Sequence, residues 1–173
     1  MLFSDRSLWT MVHGIVLGGG AMMALSAALV ALYTARRVPR SAADGNTLAW
    51  LTAAIAAMLW LTVIVGTYLV FPPYRAVPPE GIVNLAPYPR ALILSRPDTA
   101  WLHAFAMEIK EHMPWIASML ATAVAFVVIR QRESVLNDAR LRTTATWCLA
   151  ICFVLVSFAA LLGIFVNKVA PLQ

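Results

Sequence analysis

Charged residues are scarce in this chain, and their scarcity decides its class. Asp, Glu, Lys and Arg make up 12% of the 173 residues. Soluble domains carry about 25%. Hydrophobic residues make up 61%, and the mean hydropathy is +0.79. The composition excludes an ordinary soluble domain and predicts an all-α integral membrane protein with a single domain over residues 1–173.

Features of secreted precursors and of independent enzymes are also lacking. The N-terminal MLFSDRSLW has no basic n-region, and the apolar run after it is too long for the h-region of a signal peptide. The first span is therefore expected to be retained. The sequence shows no nucleophile paired with a base, no phosphate-cradling glycine loop and no general acid pair. An independent hydrolase or transferase is not expected.

Cysteine is limited to Cys148 and Cys152, which fall inside an apolar run. They are four residues apart and share one helix face. We interpret them as small residues in helix packing, with a metal-binding pair as the alternative. Their position gives no information on the redox compartment.

Apolar runs long enough to cross a bilayer recur along the chain. A transmembrane helix needs about 20 mostly apolar residues. The sequence predicts a four-helix bundle with spans over residues 8–33, 48–71, 112–129 and 144–166. Two alternatives exist for the start of the third span. Either Pro114 is its first helical residue and residues 99–111 form a separate interfacial helix, or Pro114 kinks one longer helix.

Arginine is concentrated in the first and third connections. These connections carry Arg36, Arg37, Arg40, Arg130, Arg132, Arg140 and Arg142. The positive-inside rule places them in the cytoplasm. Both termini and the long, proline-rich second connection are then periplasmic, in a bacterial inner membrane. Because these loops hold much of the net charge of +5, nucleic acid is not an expected partner. The expected partners are the lipid bilayer and other membrane subunits.

The stretch EIKEHMPW, residues 108–115, places ionisable groups at the edge of the third span. At 1.5 Å per residue, His112 lies about 27 Å from the cytoplasmic helix end, near the outer edge of a core about 30 Å thick. His13 in the first span lies at a comparable depth. His103 is nine residues before His112 and points to the opposite side of a straight helix. Lys110 points with His103 and is expected to snorkel outward.

These histidines suggest a b-type haem held between two helices. We expect His13 and His112 as axial ligands, with His103 as a substitute for either. Gly20 is seven residues after His13, on the same face, and would leave room for the macrocycle. Glu108, which shares a face with His112, or Glu111 would orient a ligand histidine through its second ring nitrogen.

The propionates of such a haem would need cations at the outer interface. Arg75 and Arg90 of the second connection are the candidates. The protein would then pass electrons between a quinol or a periplasmic donor, such as a periplasmic cytochrome, and a partner subunit. Two alternatives stay open. One is a cofactor-free structural or assembly subunit, and the other is a quinone or non-haem metal site built from Glu108, His112 and His13.

Three features together resemble a known family. They are a histidine early in the first span, the segment GTYLVFPPYRA after the second, and His112 at the opening of the third. The pattern resembles four-span membrane proteins associated with haem–copper oxidase assembly, and in topology it covers most of the chain. The resemblance implies an accessory subunit of a respiratory complex.

Overall fold

The computed structural model describes residues 4–37 and 41–172, and all regular structure in these ranges is helical. Four helices are long and apolar enough to cross a membrane, and in chain order they are Asp5–Thr34, Ala42–Tyr74, Leu102–Arg130 and Ala139–Val169. We number them as the first to fourth spanning helices. Shorter helices cover Pro89–Leu94 and Arg132–Asn137. The predicted all-helical membrane class is confirmed.

The spanning helices extend beyond the predicted apolar runs, most of all in the third. This helix begins at Leu102 rather than at residue 112, and it continues through Pro114 without interruption. The structure therefore has one long helix here, and no separate interfacial helix over residues 99–111. Pro114 has no N–H to donate to the carbonyl of Lys110, but the α-helix persists on both sides of it.

The helices form a ring in which each packs against the next and the fourth closes on the first. Arg6 Nη2 donates to the carbonyl of Ala170 at 3.4 Å, which ties the start of the first helix to the end of the fourth. We call this end of the bundle the termini end. The other end, with the first and third connections, is the short-loop end. Arg40 lies in the first connection, outside the described residues.

Local sequence explains how the helices begin at the short-loop end. Ser41 and Asp44 form a reciprocal capping box at the second spanning helix. Asp138 caps the fourth by accepting from the backbone N–H of Arg140. Arg132 Nη1 donates to Asn46 Oδ1 at 2.6 Å, so the third connection is held against the second helix.

Two apolar clusters fill the bundle. The larger cluster occupies the short-loop half, where alanines allow close approach of the helices and leucines such as Leu25, Leu32 and Leu48 fill the remaining space. A smaller cluster at the termini end includes Tyr74, Ile93 and Leu162. The short helix Pro89–Leu94 is anchored in it through Ile93, which is fully buried.

The termini half also contains irregular helix. π-helical segments cover Val12–Gly19 in the first spanning helix, Gly66–Val70 in the second and Leu102–Met107 in the third. A π-turn inserts an extra residue into an α-helix and is frequent at functional sites. All of these segments lie toward the termini end, which is therefore the expected location of a functional site.

Candidate functional site

Two exposed tryptophans give a depth scale for the bundle. Trp50 and Trp147 are 78% and 67% exposed near the starts of the second and fourth spanning helices, as in an interfacial aromatic belt. Thr62 and Ala159 each follow one of these tryptophans by twelve residues. Both therefore lie about 18 Å from that interface. In a hydrocarbon core about 30 Å thick, they are about 12 Å from the opposite surface.

His13 is held at this depth by the second spanning helix. Its Nδ1 lies 2.9 Å from the carbonyl oxygen of Thr62. Because a carbonyl only accepts, Nδ1 carries the proton, and the neutral ring has its lone pair on Nε2. A Cβ at Gly66 would lie 2.8 Å from His13 Cε1, so the glycine leaves room for the ring. The second helix thus supplies both the anchor and the space.

Lys110 reaches from the third spanning helix to the fourth. Its Nζ donates to the carbonyl of Ala159 at 3.3 Å, and a Cβ at Gly163 would lie 2.8 Å from the same Nζ. The ammonium interacts electrostatically with His13. Within the described chain, the ion pairs are Arg96–Asp98 and a long one between His112 and Glu108, so no carboxylate pairs with Lys110.

Each spanning helix therefore contributes to one polar layer inside the hydrocarbon region. The first and third helices supply the imidazole of His13 and the ammonium of Lys110. The second and fourth supply the carbonyls of Thr62 and Ala159. An ionisable side chain at this depth is costly and marks a functional site by default. We take this polar layer, defined by these four residues, as the candidate site.

His103 lies outside the polar layer, at the termini end. Arg90 Nε donates to His103 Nε2 at 3.2 Å. The remaining ring nitrogen, Nδ1, is 3.0 Å from Tyr74 Oη. Arginine only donates, so Nε2 accepts and the neutral ring donates through Nδ1 to the phenol. Both nitrogens of His103 are therefore engaged.

His112 lies on the outside of the third spanning helix. Its side chain is 73% exposed, and its Nδ1 lies 2.7 Å from the carbonyl oxygen of Glu108 one turn earlier. The structure brings His13 together with Lys110, not with His112 or Glu108. In residues 4–37 and 41–172, no three His, Cys, Asp or Glu side chains converge as metal ligands. The geometry gives the predicted metal set of His13, His112 and Glu108 no support.

The remaining predicted residues have other neighbours. A Cβ at Gly20 would lie 3.1 Å from Met58 Cε, so a side chain of the second helix already fills the face that Gly20 leaves open. The guanidinium of Arg75 lies 5.2 Å from the ring centroid of Phe71. Arg75 and Arg90 are both at the termini end, as predicted.

The sequence prediction missed Lys110, which was expected to snorkel into water. A signal in the sequence could have pointed to Lys110. Gly163 is the sole glycine of the fourth spanning helix, and a glycine inside a span can make room for a long polar side chain of a neighbouring helix. In the structure that side chain is Lys110. The chain matches no protein-family model, no curated protein and no solved structure.

Proposed function

We propose that the chain is a subunit of a membrane electron-transfer complex and that its polar layer binds the headgroup of a lipid-soluble quinone. The observation that carries the proposal is that His13 and Lys110 are each held by a backbone carbonyl of a neighbouring helix, Thr62 and Ala159, at one depth inside the hydrocarbon region. An ammonium there without a carboxylate partner is costly. A ligand oxygen that accepts a hydrogen bond from it would offset the cost.

The two side chains suit the two oxidation states of a quinone. Lys110 keeps N–H groups beyond the one bound to Ala159, and these donate to a quinone carbonyl oxygen. His13 Nε2 accepts from a quinol hydroxyl and takes its proton when the quinol is oxidised. The electrons then pass to a redox group of a neighbouring subunit, for which a periplasmic cytochrome is the expected partner.

The orientation is part of this proposal. Arginine density at the short-loop end, as at Arg36, Arg37 and Arg132, supports a cytoplasmic position for that end in a bacterial inner membrane. The polar layer then lies in the periplasmic half of the bilayer. The resemblance to oxidase-assembly proteins stays a prediction. It agrees with an accessory role in a respiratory complex.

A b-type haem is the second candidate, favoured by one specific observation. His13 and His112 each have Nδ1 at a backbone carbonyl, and a metal-bound imidazole is oriented in this way. Haem would need both Nε2 atoms on one iron. The ring of His13 lies between the first and second helices against Gly66, whereas His112 is exposed on the third. These residues do not fit a shared haem in this arrangement, so we place the quinone first.

Quinone binding by the purified protein tests the proposal. A short-chain quinone analogue should quench tryptophan fluorescence, because Trp60, two residues before Thr62 on the second helix, makes an edge-to-face contact with Trp115 at a centroid distance of 5.5 Å. Lys110→Met should raise the Kd about 10- to 100-fold, the usual value of a hydrogen bond to a charged group. Lys168→Met is the matched control, since Lys168 is exposed at the end of the fourth helix. Equal Kd values for the two variants would overturn the proposal.

The haem alternative is decided in the same preparations. A Soret band that is lost in both His13→Ala and His112→Ala would assign the site to haem. Quinone binding that is lost in His13→Ala and retained in His112→Ala supports the polar layer, because only His13 lies in it.

A further inference from the structure

A second group of polar side chains lies at the termini end, and the proposed quinone site does not use it. It contains Arg75, Arg90, Tyr74 and His103, which we call the arginine cluster. Hydrogen bonds connect Arg90 and Tyr74 through His103, and the charge of Arg75 lies within electrostatic range of both Tyr74 and His103. These residues come from three elements: the end of the second spanning helix, the short helix Pro89–Leu94 and the start of the third.

Hydrogen-bond chemistry leaves donors of this cluster available for a further partner. Arg90 uses Nε–H on His103, which leaves both terminal NH₂ groups of the guanidinium for another partner. Tyr74 Oη accepts from His103, so its own O–H also remains a donor. Glu108 and Glu111 lie within electrostatic range. Neither forms an ion pair with an arginine in the part of the chain that the structure describes.

Depth places the arginine cluster at the level of lipid headgroups. Tyr74 follows Trp50 by 24 residues. It therefore lies about 36 Å from the aromatic belt at the short-loop end, beyond a core about 30 Å thick. Trp101 and Phe105, two residues before and after His103 on the third helix, are 48% and 55% exposed. Apolar side chains therefore lie at the same depth as the cationic donors, on another face of the helix.

We infer that the arginine cluster binds the phosphate of an anionic phospholipid headgroup. Guanidinium groups bind phosphate through two parallel hydrogen bonds. Free phosphate offers the same chemistry. Exposed apolar side chains at the same depth, among them Trp101 and Phe105, favour the lipid, because acyl chains pack against such side chains. The inference is independent of the quinone proposal.

Thermal unfolding of the full chain in detergent tests the inference. A ligand that binds only the folded state raises the Tm, and the rise grows with the logarithm of the ligand concentration relative to its Kd. Phosphatidylglycerol should raise the Tm more than phosphatidylcholine does. Arg75→Gln and Arg90→Gln should each lose more than half of that difference. Arg96→Gln is the matched control, because Arg96 belongs to the same connection but pairs with Asp98 at 2.8 Å.

The two arginine variants distinguish a loss of lipid binding from a loss of structure. Arg90→Gln removes the hydrogen bond to His103, whereas the guanidinium of Arg75 only stacks on Phe71. Arg75→Gln therefore reports binding without that structural loss. Equal shifts with the two lipids, or a full phosphatidylglycerol shift in both variants, overturns the inference. An equal shift with inorganic phosphate alone overturns the lipid assignment and leaves a free-phosphate site.

Discussion

The two halves of the bundle are filled in different ways. In the short-loop half, regular α-helices pack through alanines and leucines in one continuous apolar cluster. In the termini half, π-helical segments interrupt the first three spanning helices, and His13 and Lys110 lie where apolar contacts would otherwise be made. The short-loop half is filled mainly by apolar side chains. The termini half also holds ionisable side chains inside the hydrocarbon region.

The difference shows how a membrane helix offers polar partners. Backbone carbonyls of a regular helix are bonded within the helix. The carbonyl of Thr62, next to a π-helical segment, accepts from the N–H of Gly66 and also from His13. A carbonyl oxygen has two lone pairs, so it can serve both. The carbonyls of Thr62 and Ala159 therefore hold the imidazole of His13 and the ammonium of Lys110, and no carboxylate in the described chain pairs with that ammonium.

The largest expected effect is in a topology experiment, which shows which half of the bundle faces the periplasm. Its result is all-or-none. A reporter fused to the C-terminus should be active only in the periplasm, because the arginines are concentrated at the other end. Paired alkaline phosphatase and fluorescent-protein fusions measure this. A fluorescent C-terminal fusion in the cytoplasm would place the polar layer in the opposite leaflet.

Leu32→Ala should lower the stability of the protein without changing its affinity for quinone. Leu32 is fully buried in the short-loop cluster, and its truncation leaves a cavity that costs about 2 kcal/mol of unfolding free energy. The midpoint of unfolding in a denaturing detergent should fall, whereas the quinone Kd should stay unchanged. A large change in Kd would show that the halves are coupled.

Gly66→Ala should do the reverse: it should weaken quinone binding strongly and lower the stability only slightly. The new Cβ, 2.8 Å from His13 Cε1, should displace the ring from Thr62 and raise the quinone Kd about tenfold. Unfolding free energy should fall by only about 1 kcal/mol. Gly14→Ala is the control, since nothing lies within 4 Å of its Cβ position. Normal binding by Gly66→Ala would remove His13 from the site.

The sequence was sufficient for the class and the approximate spans, because hydropathy and charge are local properties. It also drew attention to His13, although as a haem or metal ligand, and that role stays a prediction. It failed at Lys110 because face arithmetic assumes an unbroken α-helix from His103 onward. The π-helical segment Leu102–Met107 adds a residue to the turn and changes the phase, so His103 faces Arg90 while Lys110 faces the fourth helix. Single-sequence periodicity carries no sign of such an insertion.

The depth of the polar layer sets the units in which its affinity should be expressed. The carbonyls that hold His13 and Lys110, at Thr62 and Ala159, lie about 12 Å below the nearer surface, so a ligand reaches the polar layer from within the bilayer. Its relevant concentration is then a mole fraction in lipid, not a molarity in water. An apparent Kd quoted against total added quinone would change with the amount of detergent or lipid. Measurements on this chain become comparable only when that partition is fixed.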